Sequence, residues 1–326
     1  MSTKIRIAIT IILIVLTTIL LLGLGGFLTV VFTLNISKQS TNNIKHENQT
    51  IMNMTSSTCQ CGCPTIRPEI TPRIVNGEPA ILNSWPWQLL LINFSYEGIP
   101  QYYCGASLLT PKHVLTAAHC VFGLSPRYVG VIPRVHDFNR STWSRTSAYL
   151  AESVFTHESF DDRTGNHDVA VIRLLTPIVL DDYVSPICLA SGNTTNEPLK
   201  AGDELVAIGW GSIEGGNRSK PDVLQQVRLK FVPSSDPSCA PLVGRGDSVR
   251  PGQMCAGFPP RAICFGDSGG PLLRSVTDFN GQIYWQQVGI MSGTVDCGHK
   301  TNFSDVYTSV SYYNRWILEK INAQSS

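Results

Sequence analysis

Beyond isolated pairs, the 326-residue chain has no run of basic residues, and its net charge is +1. That balance gives no electrostatic footprint for nucleic acid. No paired C-x2-C motif occurs among the ten cysteines. The usual spacing of a structural zinc site is therefore missing. No internal repeat is visible, which excludes solenoids and propellers. Residues 7–34 carry no charge at all, and residues 35–58 are nearly free of aromatics. A charge-free run that long does not belong on the surface of a soluble domain, and a polar stretch without aromatics cannot bury a core.

Lys4 and Arg6 precede the run "IAITIILIVLTTILLLGLGGFLTVVFTL". About 20 apolar residues span a bilayer, whereas signal-peptide cores have about 7–15. The reading is a transmembrane signal-anchor over 7–34 with residues 1–6 cytosolic and the rest outside, by the positive-inside tendency. The alternative is a long signal peptide cleaved near Gly23–Gly26. Residues 35–58 read as a solvated stalk. Asn-x-Ser/Thr triplets at Asn35, Asn48, Asn53, Asn93, Asn139, Asn193, Asn217 and Asn302, with the ten cysteines, point to an oxidising, glycosylating compartment. Asn48, Asn53, Asn93, Asn139, Asn193, Asn217 and Asn302 are the expected glycan acceptors. In "CQCGC", residues 59–63, the C-x-C-x-C spacing favours a disulfide tether over a metal site.

From Ile74 the texture changes. Short apolar runs such as "WPWQLLLINF", "DVAVIRLL" and "ELVAIGWG" recur between Gly, Pro, Asn and Asp. This predicts an all-β sandwich or barrel. Only "SYYNRWILEKINAQ" reads as helix, with Tyr313, Trp316, Ile317 and Ile321 on one face.

Three segments stand out: "LTAAHC" with His119, "HDVAVIRL" with Asp168, and "GDSGGP" with Ser268. A serine hydroxyl needs a base within hydrogen-bond reach before it can attack a carbonyl. Imidazole titrates near working pH, and a buried carboxylate can fix its tautomer. Singly, each residue has a bland reading: an exposed histidine, a turn-capping aspartate, a tight glycine loop. Their joint occurrence points to nucleophilic catalysis.

From Ile74 onward, "RIVNGEPA", "CGASLLTPKHVLTAAHC", "DVAVIRL", "IGWG", "CFGDSGGPLL" and "DVYTSVSYYNRWI" resemble the chymotrypsin/trypsin family of serine endopeptidases, in the family's order. The resemblance implies two six-stranded antiparallel β-barrels with the site between them and a C-terminal helix. With the N-terminal segments, it implies a type II transmembrane serine protease: tail 1–6, anchor 7–34, stalk and propeptide 35–73, protease domain 74–326. It implies an oxyanion hole from the N–H groups of Gly266 and Ser268. It also implies activation by cleavage between Arg73 and Ile74, whose new amine pairs with Asp267. Implied disulfides are Cys104–Cys120, Cys239–Cys255, Cys264–Cys297, and Cys188 to one of Cys59, Cys61 and Cys63. One family bridge is missing, since its positions fall at Leu205 and Arg274. Implied partners are protein or peptide substrates, an activating trypsin-like protease, and serpin- or Kunitz-type inhibitors. Implied localisation is the plasma membrane, single-pass type II with an extracellular protease domain; a secreted form is the alternative. No cofactor or metal is expected, because residues 135–150 lack a convincing acidic pair for a calcium loop.

The implied specificity pocket departs from trypsin. Ala262 takes the floor position where an aspartate would select Lys or Arg. Ile263 takes the neighbouring wall and Phe265 the rim. Ser292 takes the position of a serine bonded to the catalytic carboxylate. Gly293 replaces a tryptophan, and Thr294 and Asp305 replace glycines. A narrowed slot favours small aliphatic residues, as in neutrophil-elastase-like relatives; Asp305 also fits a cathepsin G-like pocket that accepts aromatic and basic residues. The competing function is a catalytically silent homologue acting as an extracellular scaffold.

Overall fold

The computed structural model describes residues 59–71, 77–95, 101–138, 143–191, 198–212, 220–239, 250–257, 266–294 and 303–323. The apolar run 7–34 and the stalk 35–58 lie outside these residues. Among the described residues no helix is long and apolar enough to cross a membrane.

The first barrel closes in the order β2 (Gln88–Asn93), β3 (Gln101–Thr110), β4 (His113–Thr116), β7 (Ala170–Leu174), β6 (Tyr149–Thr156) and β5 (Val129–Pro133), with β5 returning to β2. The second ring contains β9 (Glu204–Gly209), β10 (Gln225–Val232), β11 (Gln253–Ala256), β14 (Asp305–Ser309), β13 (Ile283–Gly293) and β12 (Pro271–Thr277). It closes because β9 pairs with both β10 and β12. Two short strands join this ring from outside. β1 (Glu78–Pro79) pairs with β10, and β8 (Cys188–Leu189) runs parallel to β13. The described residues thus form two six-stranded antiparallel barrels, followed by a helix, α1 (Val310–Asn322).

The sequence explains these elements locally. Almost all of "QLLLIN" in β2 is buried, because the strand is covered on both faces. Pro271 stands at the first residue of β12, a position where its missing N–H breaks no ladder. Ser309 caps α1 by accepting from the Tyr312 N–H, and Val310, Tyr313 and Ile317 form its buried stripe. Trp316 and Ile321 pack against the core as partly buried residues.

Among the described residues, Trp87, Trp210 and Tyr307 are the largest fully buried side chains. At about 25 cal/mol per Å², burying one indole contributes roughly 4–6 kcal/mol as an upper bound. Two buried polar pairs tie the barrels together. Trp85 Nε1 donates to Gln226 Oε1 at 2.9 Å, and Ser107 Oγ donates to Gln287 Oε1 at 2.6 Å. Losing one partner of such a pair costs about 1–3 kcal/mol, because the other stays buried without a bond.

The disulfides among the described residues are Cys59–Cys63, Cys61–Cys188, Cys104–Cys120 and Cys239–Cys255. Cys264 and Cys297 lie outside the described residues. Gly62 has φ 72°, and its N–H and carbonyl bond Pro186 O and Trp285 N at 2.8 and 2.7 Å. A Cβ there would collide with Trp285 O, so only glycine lets the stem lie this close. Further along, Gln226 Nε2 donates to Glu69 O and Arg228 donates to Ile70 O. At the positions of the missing bridge, Leu205 is buried and Arg274 donates to Gln286 Oε1.

Candidate active site

The site is built first by strand register. Thr116, the last residue of β4, faces Ala170, the first residue of β7. The segment after β4 and the segment before β7 therefore share one end of the barrel. After β4 the chain makes a 3-10 turn, Ala118–Cys120, that contains His119. Just before β7 stands Asp168.

The Asp168 side chain is 1% exposed. Its Oδ2 lies 2.7 Å from His119 Nδ1, and its Oδ1 accepts the His119 main-chain N–H at 2.8 Å. Ser292 Oγ donates to Oδ2 at 2.6 Å. Three donors thus satisfy a carboxylate that would be costly to bury alone. In the tautomer that donates Nδ1–H to the carboxylate, Nε2 is left as the proton acceptor. Thr308 Oγ1 donates to the Asp168 carbonyl at 2.8 Å, a bond between the barrels that no motif in the sequence announces. The available signal was a threonine inside the buried strand "DVYTS".

Ser268 sits in the loop before β12. Its carbonyl accepts from Gly105 N of β3 at 2.8 Å, so this loop of one barrel is tied to the other. Gly269 N donates to Met291 O, and Gly270 N to Asp267 O. Gly269 has φ 77°, and a Cβ on it would collide with Thr116 Oγ1 and Gly105 O. Glycine here brings the Ser268 loop against the strand that leads to His119. Gly266, with φ 106°, also uses backbone freedom that other residues rarely adopt.

The Asp267 carboxylate accepts from Gly211 N at 2.6 Å. A Cβ on Gly209 or Gly211 would collide with it, so "GWG" forms a cradle for this acid. Arg73 and Ile74 lie outside the described residues.

Of the pocket positions, Ser292 and Gly293 end β13, where a register shift separates Met291 from Gly293, and Thr294 follows the strand. Gly293 faces Val306 of β14, next to Asp305. Asp305 is buried at 3% exposure and pairs with Ala256. Burial pushes the Tyr307 hydroxyl well above its ordinary value, with Asp305 and Asp267 adding to the shift. Ala262, Ile263 and Phe265 lie outside the described residues.

Asn93 ends β2 with its Oδ1 accepting from Ser95 N. Asn48, Asn53, Asn139, Asn193, Asn217 and Asn302 are outside the described residues. Cys104, His119 and Cys120 are the one cluster of three metal-type donors among the described residues. Cys104 and Cys120 are joined to each other, so neither offers a thiolate.

The family model described as Trypsin matches residues 74–317. Transmembrane protease serine 11G of Rattus norvegicus is 32% identical over 264 residues, covering 80% of this chain and 58% of that protein. Chymotrypsin-C of Mus musculus is 34% identical over 266 residues, covering 80% of this chain and 93% of that protein. Vitamin K-dependent protein C of Mus musculus is 32% identical over 255 residues, covering 76% and 52%. The chain spans between half and three-fifths of the length of the first curated relatives it matches.

Proposed function

This chain belongs to the trypsin family, and from that premise we propose that it is a membrane-anchored zymogen serine endopeptidase. The observation that carries the reading is the buried Asp168 carboxylate bonded to both the ring and the main chain of His119. Ser268 Oγ attacks the scissile carbonyl while His119 Nε2 takes its proton. Asp168 holds the ring in the required tautomer and stabilises the imidazolium. The N–H groups of Gly266 and Ser268 bind the developing oxyanion. As the C–N bond breaks, His119 returns the proton to the leaving amine, and an acyl group remains on Ser268. Water, deprotonated by the same imidazole, then releases the acid.

Cleavage between Arg73 and Ile74 activates the enzyme. The new amine of Ile74 pairs with Asp267, whose carboxylate already lies against Gly209 and Gly211. The Cys61–Cys188 bridge then retains the cleaved domain on the stalk. The anchor is residues 7–34, a reading supported by the relative named as a transmembrane protease. The preferred residue before the cut is small and aliphatic, because Thr294 narrows the slot and Asp305 is buried.

The test is labelling of the full chain with a fluorophosphonate after cleavage at Arg73. Covalent modification of Ser268 that is lost in Ser268→Ala supports the reading. No reaction at Ser268 favours a scaffold without catalysis.

A further inference from the structure

His167, immediately before Asp168, has φ 56°. This left-handed backbone is uncommon for a residue with a Cβ. The Val169 N–H bonds back to the His167 carbonyl at 2.9 Å, so the chain folds tightly around Asp168. Something must hold that conformation against its intrinsic cost. The Tyr313 hydroxyl lies 2.8 Å from His167 Nδ1. On its other side the His167 ring stacks on His157, with centroids 4.6 Å apart and planes 10° apart.

Tyr313 is itself fixed. It is 3% exposed, and its ring lies so close over Gly252 that a Cβ there would come within 2.8 Å of Cε2. Gly252 in turn accepts the Ser309 N–H at 2.8 Å through its carbonyl. Thr308, five residues earlier, donates to the Asp168 carbonyl. The end of β14 and the first turn of α1 therefore grip the triad acid twice, at its own carbonyl and at the residue before it.

We propose that Tyr313 is a positioning residue for Asp168, acting through the left-handed turn at His167. This rests on the proteolytic reading of His119, Asp168 and Ser268. The hydroxyl keeps its proton at working pH, since burial raises it above its ordinary value, with Tyr312 and Asp168 adding to the shift. In the tautomer that leaves His167 Nδ1 without a proton, the hydroxyl donates to it. Burial holds His157 below the usual imidazole range, with His167 and Lys320 adding to that and Glu158 opposing it. A His157 ring held neutral stacks on His167 without repulsion between two charged rings.

The experiment compares the activated full chain with Tyr313→Phe, His167→Asn and His167→Val. Tyr313→Phe removes one hydrogen bond at nearly constant volume, which corresponds to a roughly three- to tenfold loss in kcat with KM unchanged. The acid limb of kcat/KM moves to lower pH, because a loosened Asp168 stabilises the imidazolium less. His167→Asn keeps activity, since asparagine tolerates positive φ and its amide oxygen accepts from Tyr313. His167→Val loses both features and falls below Tyr313→Phe. A Tyr313→Phe enzyme with the wild-type kcat and pH profile overturns the proposal, as does His167→Asn damaged as badly as His167→Val. The low-field proton resonance of His119 Nδ1–H tests the same contact without turnover: it shifts or broadens in Tyr313→Phe, and an unchanged resonance overturns the proposal. Absence of fluorophosphonate labelling in the wild type counts against proteolysis itself, and the resonance comparison then decides the role of Tyr313.

Discussion

Asp168 is bonded twice to His119, through the ring Nδ1 at 2.7 Å and through the main-chain N–H at 2.8 Å. The second bond fixes the backbone that carries the ring, so only the side-chain torsions remain to move the imidazole off the carboxylate. Ser292 and Thr308 reach the same aspartate from the second barrel. The acid is therefore one of the points at which the two barrels meet.

Asp168→Asn is expected to lower kcat about 10⁴-fold with little change in KM, because the amide stabilises the wrong histidine tautomer. Ser292→Ala removes one of three donors to the carboxylate, and the expected loss is at most roughly tenfold to a hundredfold. Steady-state kinetics on a peptide ester checks both. A larger loss from Ser292→Ala than from Asp168→Asn would contradict this ranking.

Arg73→Ala is expected to give a folded chain without activity, because no free Ile74 amine forms to pair with Asp267. Incubation with a trypsin-like protease, followed by fluorophosphonate labelling, is the measurement. Full turnover by the uncut variant would refute the zymogen reading.

Cleavage at Arg73 is expected to leave one covalent unit on a non-reducing gel and two fragments after reduction, through Cys61–Cys188. In intact cells, reduction frees the protease domain from the membrane. Cys188→Ser reproduces that release without reductant. A Cys188→Ser chain that stays membrane-bound after cleavage would remove the tether.

A peptide library is expected to show Val and Ala preferred over Arg before the cut. The preference is graded, since one or two methylenes in an apolar slot change binding by about 1–3 kcal/mol. Thr294→Gly opens the slot and raises cleavage after Phe and Lys. Adding Asp305→Gly removes the Lys gain and spares Val. A wild-type profile dominated by Arg or Lys would show that Asp305 meets substrate, and would sink the aliphatic preference.

Glu158 accepts from Lys320 Nζ at 2.5 Å and from Trp316 Nε1 at 2.8 Å. Lys320, chiefly, lowers its pKa from 4.5 to about 2. A carboxylate depressed on folding stabilises the native state above its unfolded value, and that contribution fades as pH falls from 4.5 toward about 2. The group is largely exposed, so Glu158→Gln costs below about 1 kcal/mol at neutral pH. Thermal melts of the two proteins are expected to converge as pH drops through this window. A gap that widens with acid would contradict the assignment.

Much of this was legible in the chain itself. Alternating short apolar runs with Gly and Pro punctuation specify strands, because period and turn chemistry are local properties. "LTAAHC", "HDVAVIRL" and "GDSGGP" name the groups proposed to react, because residue types suited to a nucleophile, a base and its orienting acid are recognisable in the sequence. Register and long-range approach were not legible. The spacing in "CQCGC" cannot choose a partner for Cys188, which lies 127 residues from Cys61. The choice falls to Gly62, whose backbone bonds to Pro186 and Trp285 present Cys61 to Cys188 and leave Cys59 beside Cys63. Likewise nothing near Asp168 in the sequence announces Thr308 or Tyr313, which lie 140 residues or more away. A side chain's chemistry belongs to its own residue. Its partners are set by which strands pair and how two closed barrels pack, and that is decided only when the whole chain has folded.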